Sequence, residues 1–423
     1  MNEPGFERIV GRSHFAEATE THAIDGVTPR WVVQPGTLDE AVAVVQTANE
    51  HGLAIVPRGK GRHLEMGDPP DRFDVLLSTE RLDRILDHEP ADMTVRVMAG
   101  CTIPSLGQAL HGSQQWLPLD PPAEMDTTIG GLLATNLSGP LRASQGSARD
   151  MLIGIRTIAP DGSIVSGGGR VVKNVAGYDL PKMHVGALGT LGLIYDATFK
   201  VRPRPPAEEA LSIPCAEASR ATSLALEMRD ACEPFWLQIV SQTDEAHPWA
   251  VVAGAGGRRE EVETALDAYR RVARNHTARA LPVENAAELR RHIAERVAEP
   301  DRFVLRAATL PSQVGRWIEA LRATGAREGR TVAIQADLMS GSIRVAIERP
   351  VRPASVVEEL RPTLERSGGA LVVERANAAQ KKQLASLGGS WGDAGPGLDL
   401  MRGLKQAFDP EGRFSPGRFV GDL

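Results

Sequence analysis

The chain has 423 residues, 42% hydrophobic and 24% charged, with a formal net charge of −6; this is long enough for two domains with real cores, and it carries neither the basic footprint of a nucleic-acid binder nor a membrane-seeking face. Cys101, Cys215 and Cys232 lie far apart and form no C-x-x-C, which argues against a disulfide framework, a structural zinc site or iron–sulfur ligation and makes each a small apolar residue. There is no apolar run of about 18 residues for a membrane span, and Met1–Arg12 lacks the apolar core of a leader, so the expected location is cytoplasmic.

In chain order, Trp31-Val32-Val33 reads as a short strand. Thr37 and Glu40 make a capping box for a helix with Ala41, Val45 and Ala48 on one face, ending at Gly52. Leu53-Ala54-Ile55-Val56 is a buried-type strand that opens into Pro57-Arg58-Gly59-Lys60-Gly61-Arg62-His63. Strands follow at Val75–Ser78 and Thr94–Ala99, then a helix at Ile103–Leu110. Residues 121–146 are rich in Gly, Thr, Asn and Pro, with a small-residue helix starting at Gly130. Ile153–Ala159 and Ser163–Ser166 flank the turn Pro160-Asp161-Gly162. Leu188–Lys200 is a glycine-punctuated segment running into a strand. Pro203-Arg204-Pro205-Pro206 marks a boundary, because proline stops both helix and ladder. Beyond it, Phe303–Thr309, Ser312–Thr324, Val332–Ala336, Ile343–Glu348, Ala354–Ser367 and Leu371–Glu374 read β-α-β-β-α-β, a ferredoxin-like unit. The strands Leu237–Val240 and Trp249–Ala253, with the helix Glu260–Arg274, are expected to extend its sheet. Leu398–Phe408 is a last helix.

Three stretches have the composition of a ligand cradle. In Pro57–His63, two glycines directly after a strand let backbone N–H groups approach an anion, and Arg58, Lys60 and Arg62 add charge suited to a diphosphate. This is neither a Rossmann fingerprint, since G-x-G-x-x-G fails at Leu64, nor a P-loop. In Thr127–Asn136, hydroxyls and the pair Gly130-Gly131 at a helix start read as a second anion nest. In Lys173–Lys182, continuing through Gly186, Gly189 and Gly192, the glycines imply irregular backbone that a ligand or strand approaches closely.

Together, residues 31–61, 121–150, 161–204 and 398–419 resemble the FAD-linked oxidase family with the VAO/PCMH fold. The run Val171-Val172-Lys173-Asn174-Val175-Ala176-Gly177-Tyr178-Asp179-Leu180-Pro181-Lys182-Met183, followed by Gly186–Ile194, is similar to the FAD-binding subunits of glycolate oxidases. The resemblance implies an α+β chain: an N-terminal extension (1–23), a PCMH-type FAD-binding domain of two α/β subdomains (24–205), a ferredoxin-like cap (206–397), and a C-terminal helix and tail near the flavin (398–423). It implies non-covalent FAD, with Pro57, Arg58, Gly59, Lys60, Gly61, Arg62 and His63 at the diphosphate. Thr127, Thr128, Gly130, Gly131, Ala134, Thr135, Ser138, Gly139, Gly146 and Ser147 are expected to line the remaining diphosphate, ribityl and flavin. Gly189, Thr190, Gly192 and Ile194 are assigned to the adenine side and the isoalloxazine backbone contacts. The implied reaction is oxidation of a small 2-hydroxy acid, glycolate to glyoxylate, within a complex that adds a catalytic flavin subunit and an iron–sulfur subunit, with any membrane association made through those partners.

The sequence departs from related catalytic dehydrogenases. They carry G-H-x-G-D-G-N-x-H and a later E-H-G, whose His and Glu residues hold a divalent metal or bind substrate. Here the strand pair reads Ala333–Ser342 without His, and the later strand ends Val373-Glu374-Arg375. No metal site and no catalytic base are identified; His184 is a weak base candidate, and His63 is read as a loop residue beside the diphosphate. Ser415 stands where the family carries Asn before Pro-Gly, and Lys405 reads as a surface lysine. The alternatives are a stand-alone FAD-dependent dehydrogenase of another hydroxy compound, a non-catalytic flavin-binding scaffold, and an enolpyruvyl-type reductase.

Overall fold

The structure is a computed structural model and describes residues 4–169, 179–299, 301–327, 331–348 and 350–423. The motif residues Val171–Tyr178, including Lys173 and Tyr178, lie outside the described residues.

The N-terminal half holds two small sheets. The first runs in the order Phe15–Glu17, Trp31–Val33, Val75–Ser78, Ile55–Arg58; its last three strands are parallel. A parallel connection needs a crossover, and Leu38–Glu50 supplies it. The Thr37 hydroxyl accepts from the Glu40 amide at 3.1 Å, and the Glu40 carboxylate accepts from the Gly36 amide at 2.7 Å. Ala41, Val44, Val45 and Ala48 form its buried face, at the spacing that keeps one helix side on a sheet. The second sheet is antiparallel throughout, in the order Ile85–Glu89, Thr94–Met98, Leu193–Lys200, Leu152–Ile158, Ile164–Gly168. The helices Ile103–His111 and Ile129–Thr135 pack Leu106, Ile129, Leu132 and Leu133 against it.

The C-terminal half builds one eight-stranded sheet. Its order is Leu281–Pro282, Ala207–Cys215, Trp249–Gly257, Trp236–Ser241, Val332–Asp337, Ser342–Glu348, Arg302–Ala308, Ala370–Arg375. Read within each half, that order is the same β-α-β-β-α-β pattern twice. The two copies join edge to edge through their second strands, with Ile239 opposite Ala336. The ferredoxin-like unit read from residues 303–374 is therefore the second of two. The first copy includes the strand Ala207–Cys215 and the helix Ala218–Ala231, which the sequence reading passed over. That helix has a weak polar–apolar contrast, yet Ala218, Ala221, Leu224, Ala225 and Met228 fall on one buried face. Helices cover one face of the whole sheet; Ile213, Leu237, Val251, Phe303, Leu305, Ile334, Val345 and Val373 share one apolar core there.

The chain end closes back on the first sheet. Ile55 donates to the Arg413 carbonyl at 2.7 Å and Ser415 donates to the Ile55 carbonyl at 2.9 Å, so the tail covers an edge that would otherwise present unpaired backbone. Phe414 is fully buried there. Lys405 does not lie on the surface as the sequence suggested. Its ammonium donates to the Thr190 carbonyl (2.7 Å), the Phe414 carbonyl (2.9 Å) and Asp409 (2.7 Å), tying the last helix to two loops.

Candidate functional site

The strand Ile55–Arg58 ends at the loop the sequence singled out, and the loop's geometry explains its residue types. A Cβ on Gly59 would collide with the Thr128 side chain, so glycine is what lets the loop press against the helix start at Thr128. Gly61 has φ +76°, a conformation glycine adopts without the Cβ penalty. The N–H groups of Gly59, Lys60, Gly61, Arg62 and His63 make no hydrogen bond in the structure. A run of unpaired backbone donors beside a cleft is costly unless something accepts from them.

The second stretch behaves differently from the anion nest read from it. The Ile129 amide donates to the Cys101 carbonyl (2.8 Å), the Gly130 amide to the Ala99 carbonyl (2.7 Å), and the Gly131 amide to the Thr128 hydroxyl (3.2 Å). Those amides are spent on anchoring the helix. The turn presents hydroxyls and small side chains to the cleft, while the first loop supplies a run of consecutive free donors.

Two adjoining cavities share Pro57, Arg58, Gly59, Gly131, Ala134 and Leu188. One is completed by Lys60, Gly61, Arg62, His63, Thr127, Thr128, Thr135 and Arg418. The other is completed by Thr79, Ala99, Gly130, Gly189, Gly192 and Ile194. Of the residues expected to bind cofactor, Ser138, Gly139, Gly146, Ser147 and Thr190 line neither cavity. Gly139 packs its backbone on Asp120. Gly146 and Ser147 punctuate two short helices, with Ser147 bonded to Asp150. The Thr190 hydroxyl donates to the Ala187 carbonyl at 2.7 Å. Arg418, on the tail, was not singled out from the sequence. It is buried, with one guanidinium nitrogen donating to the Leu64 and Met66 carbonyls at 2.6 Å and the other, Nη1, without a partner.

Three residues that line these cavities carry a buried polar atom without a partner: Arg58 Nε, Arg62 Nε and Arg418 Nη1. Buried polar groups are normally satisfied, so these atoms, together with the free loop amides, mark a place for a polar ligand. Cationic and N–H donors line the loop and small residues line the far cavity. That combination fits a dinucleotide with a diphosphate in its middle, and FAD fits it.

A third cavity lies where the eight-stranded sheet meets the N-terminal half, lined by His63, Glu65, Met66, Pro122, Leu137, Val297, Ala298, Val304, Glu374 and Arg375. The sheet face turned away from the covering helices carries Arg306 and Arg344, directly opposite each other on adjacent strands. Two guanidiniums at that spacing repel, and Glu374 holds them. Arg344 Nε lies 2.8 Å from Glu374 Oε2 and Arg306 Nε lies 2.8 Å from Oε1. Burial would raise the Glu374 carboxyl, but Arg344 and Arg306 outweigh it and keep the group below its usual range. Arg344 Nη1 also donates to the Ser138 carbonyl at 2.6 Å, linking sheet to cleft. Arg375 pairs with Glu65 at 3.2 Å and donates to the Ala298 carbonyl at 2.7 Å, where Arg62 also donates at 2.8 Å. The cavity's charged lining residues are thus Arg375, Glu65 and Glu374, with Arg62, Arg306 and Arg344 held just behind them by the Ala298 carbonyl and by Glu374. His184, the weak base candidate, is buried against Phe408 and lines none of these cavities.

Among the described residues no group of His, Cys, Asp and Glu is arranged to hold a metal, and no helix is long and apolar enough to cross a membrane.

Comparison with known proteins supports FAD as the cofactor. Residues 29–168 match the FAD binding domain family and residues 382–419 the C-terminal domain of FAD linked oxidases. The chain is 25% identical to glycolate oxidase subunit GlcD of Bacillus subtilis, over 92% of this chain and 88% of that one. It is 38% identical to glycolate oxidase subunit GlcE of Escherichia coli, over 30% of this chain and 37% of that one. In fold it is similar to p-cresol methylhydroxylase with substrate bound, with a TM-score of 0.78, 16% identity, and coverage of 98% of this chain and 95% of that one.

Proposed function

Since this chain is an FAD-dependent oxidoreductase of the FAD-linked oxidase type with the PCMH/VAO fold, we propose that it oxidises a small 2-hydroxy acid, glycolate or a close homologue, as the FAD-binding subunit of a glycolate oxidase-type complex. The observation that carries this reading is the cavity between the cofactor cleft and the second half of the sheet, where His63 and Arg375 are lining residues and Arg62 meets Arg375 at the Ala298 carbonyl. A carboxylate brought beside Arg62 and Arg375 gains charge-assisted hydrogen bonds that a neutral alcohol cannot make. Partial alignment with a GlcE subunit and longer alignment with a GlcD subunit support the complex.

In this reading, the free amides of Gly59–His63 with Arg58 hold the diphosphate. The cavity around Ala99, Gly130, Gly189 and Gly192 takes the adenine side. Thr127, Thr135 and Arg418 lie toward the ribityl and flavin. When bound, the flavin supplies a two-electron oxidant that accepts hydride. The protein's part is to fix the acid by its carboxylate, to keep its carbinol carbon beside the cleft, and to exclude bulk water with the sheet. The test is an absorption spectrum of the purified protein followed by anaerobic addition of glycolate and of D-lactate. Bleaching of the flavin band by one of them supports the reading. A flavoprotein that neither acid bleaches, even with its partner subunits present, removes it and favours a flavin-binding scaffold.

A further inference from the structure

The reaction needs a group to take the hydroxyl proton, and the positions where related dehydrogenases place histidines hold none here. One histidine nevertheless lines both the cofactor cleft and the cavity beside Arg375: His63. Its tautomer follows from its neighbours. The Thr127 hydroxyl donates its proton to the Ala123 carbonyl at 2.7 Å. That hydroxyl oxygen, 2.9 Å from His63 Nε2, is left to accept. The ring therefore carries its proton on Nε2, and Nδ1 holds a free lone pair. Among the described residues no group bonds to Nδ1.

We propose that His63 is the catalytic base of this enzyme, with Nδ1 taking the hydroxyl proton of a 2-hydroxy acid whose carboxylate is held by Arg62 and Arg375. This rests on the hydroxy-acid reading above. The step balances within the bound pair. The substrate O–H bond breaks and an Nδ1–H bond forms. The oxygen electron pair closes the carbonyl, and the hydrogen on carbon leaves with its electron pair to the flavin. The carbon is oxidised by two electrons, the flavin is reduced by two, and the imidazolium later returns one proton to water.

The surroundings suit this role. Burial first, then Arg375, Arg62 and Arg344, hold the imidazole down to about 4, against an opposing pull from Glu374. The resting ring is thus neutral at physiological pH and ready to accept. A substrate carboxylate between Arg62 and Arg375 offsets two of those depressing charges, so the ring becomes more basic as the acid binds. The base is thereby strengthened by the anion it acts on, and a neutral alcohol provides no such shift.

The test uses the intact flavoprotein and His63→Gln, whose side-chain amide can still donate to the Thr127 hydroxyl but has no basic nitrogen. The expected variant is yellow, with the wild-type flavin spectrum, and binds the unreactive dianion oxalate with an unchanged spectral titration. Its flavin is reduced by the hydroxy acid roughly 10²–10⁴-fold more slowly, the range for loss of a general base, and added imidazole restores part of the rate. Nitrogen-15 spectra of wild-type histidines supply a measurement that needs no turnover: at neutral pH the His63 signal is expected to show protonated Nε2 and bare Nδ1. A variant that reduces flavin at the wild-type rate, a colourless variant, or a protonated Nδ1 overturns the assignment. Wild-type flavin untouched by glycolate and D-lactate sinks the hydroxy-acid reading itself; a wild type that bleaches beside an equally fast variant sinks only the role of His63.

Discussion

The two halves of the eight-stranded sheet share strand order and helical cover, and they differ on the face turned toward the N-terminal half. In the first copy that face is apolar: Ala210, Trp236, Val240, Ala250 and Val252 pack with Leu141, Ala286 and Ile293. Its polar element is one buried network, with Arg290 at 2.9 Å from both Asp120 and Glu208 and the Trp236 indole donating to Glu208 at 3.0 Å. In the second copy the same face carries Arg306, Arg344, Glu374, Gln335 and Asp337; Gln335 donates across the junction to Gln238 of the first copy at 3.2 Å, and its own Oε1 is left without a partner. One copy docks the sheet and the other faces a cavity. A repeated fold thus acquires separate tasks through which residues alternate onto one face, with no change in topology.

The comparison can be broken most severely on the docking side. Arg290→Ala leaves Asp120 and Glu208 buried without their cation, and the expected loss is about 3–5 kcal/mol of stability, read by denaturant unfolding; a loss below ~1 kcal/mol would mean that the network does not hold the sheet. Next is the cofactor loop. Gly59→Val drives a branched side chain into Thr128, so the loop must shift away from the helix start; FAD affinity is expected to fall, and the FAD-free protein to lose about 1–3 kcal/mol of stability, the range of overpacking penalties. On the cavity side, Arg375→Met is expected to raise the KM for a 2-hydroxy acid by roughly 10–100-fold, the worth of one charge-assisted contact, without loss of bound flavin. An equal effect on the docking side's stability would erase the division of labour.

The smallest effect concerns pH. Burial holds His184 down to about 4 from an ordinary value of 6.5. Between those values the unfolded chain binds a proton that the folded protein refuses, so stability falls as pH drops through that window, by up to about 1.4 kcal/mol per pH unit for one such group. His184→Leu removes this contribution, and its acid limb is expected to be flatter than the wild type's from pH 6.5 to 4. Parallel curves would show that His184 is not the neutral, buried group described here. His63 acts in the same direction, and its variant provides the internal comparison.

Much of this was legible in the residues, and what escaped has physical causes. The capping box at Thr37–Glu40 and the β-α-β-β-α-β order from 303 to 374 depend on local pattern, and both elements form where the pattern puts them. The loop Gly59–His63 stood out in the sequence because two glycines and three cations follow a buried-type strand directly. The helix start at Thr128 misled: its amides are consumed by Ala99 and Cys101, partners more than 25 residues away in sequence whose approach no local pattern announces. Arg418 and Lys405 were missed or misplaced for the same reason, since both act across the junction between the tail and the first half. The first copy of the repeat was hidden because its helix Ala218–Ala231 mixes serines, threonine and arginines with its apolar residues. Its signal was the spacing of Ala218, Ala221, Leu224, Ala225 and Met228. The role proposed for His63 needed two facts absent from any string of letters: that Thr127 is already donating elsewhere, and that Arg375 lines the cavity beyond the ring.

Fluorescence titration of the flavin-free protein with FAD addresses the foundation directly. The unpaired amides of Gly59–His63 predict stoichiometric uptake, quenching of the flavin emission and a yellow complex that survives gel filtration. Folded protein that leaves the emission of added FAD unchanged and elutes colourless would contradict the account.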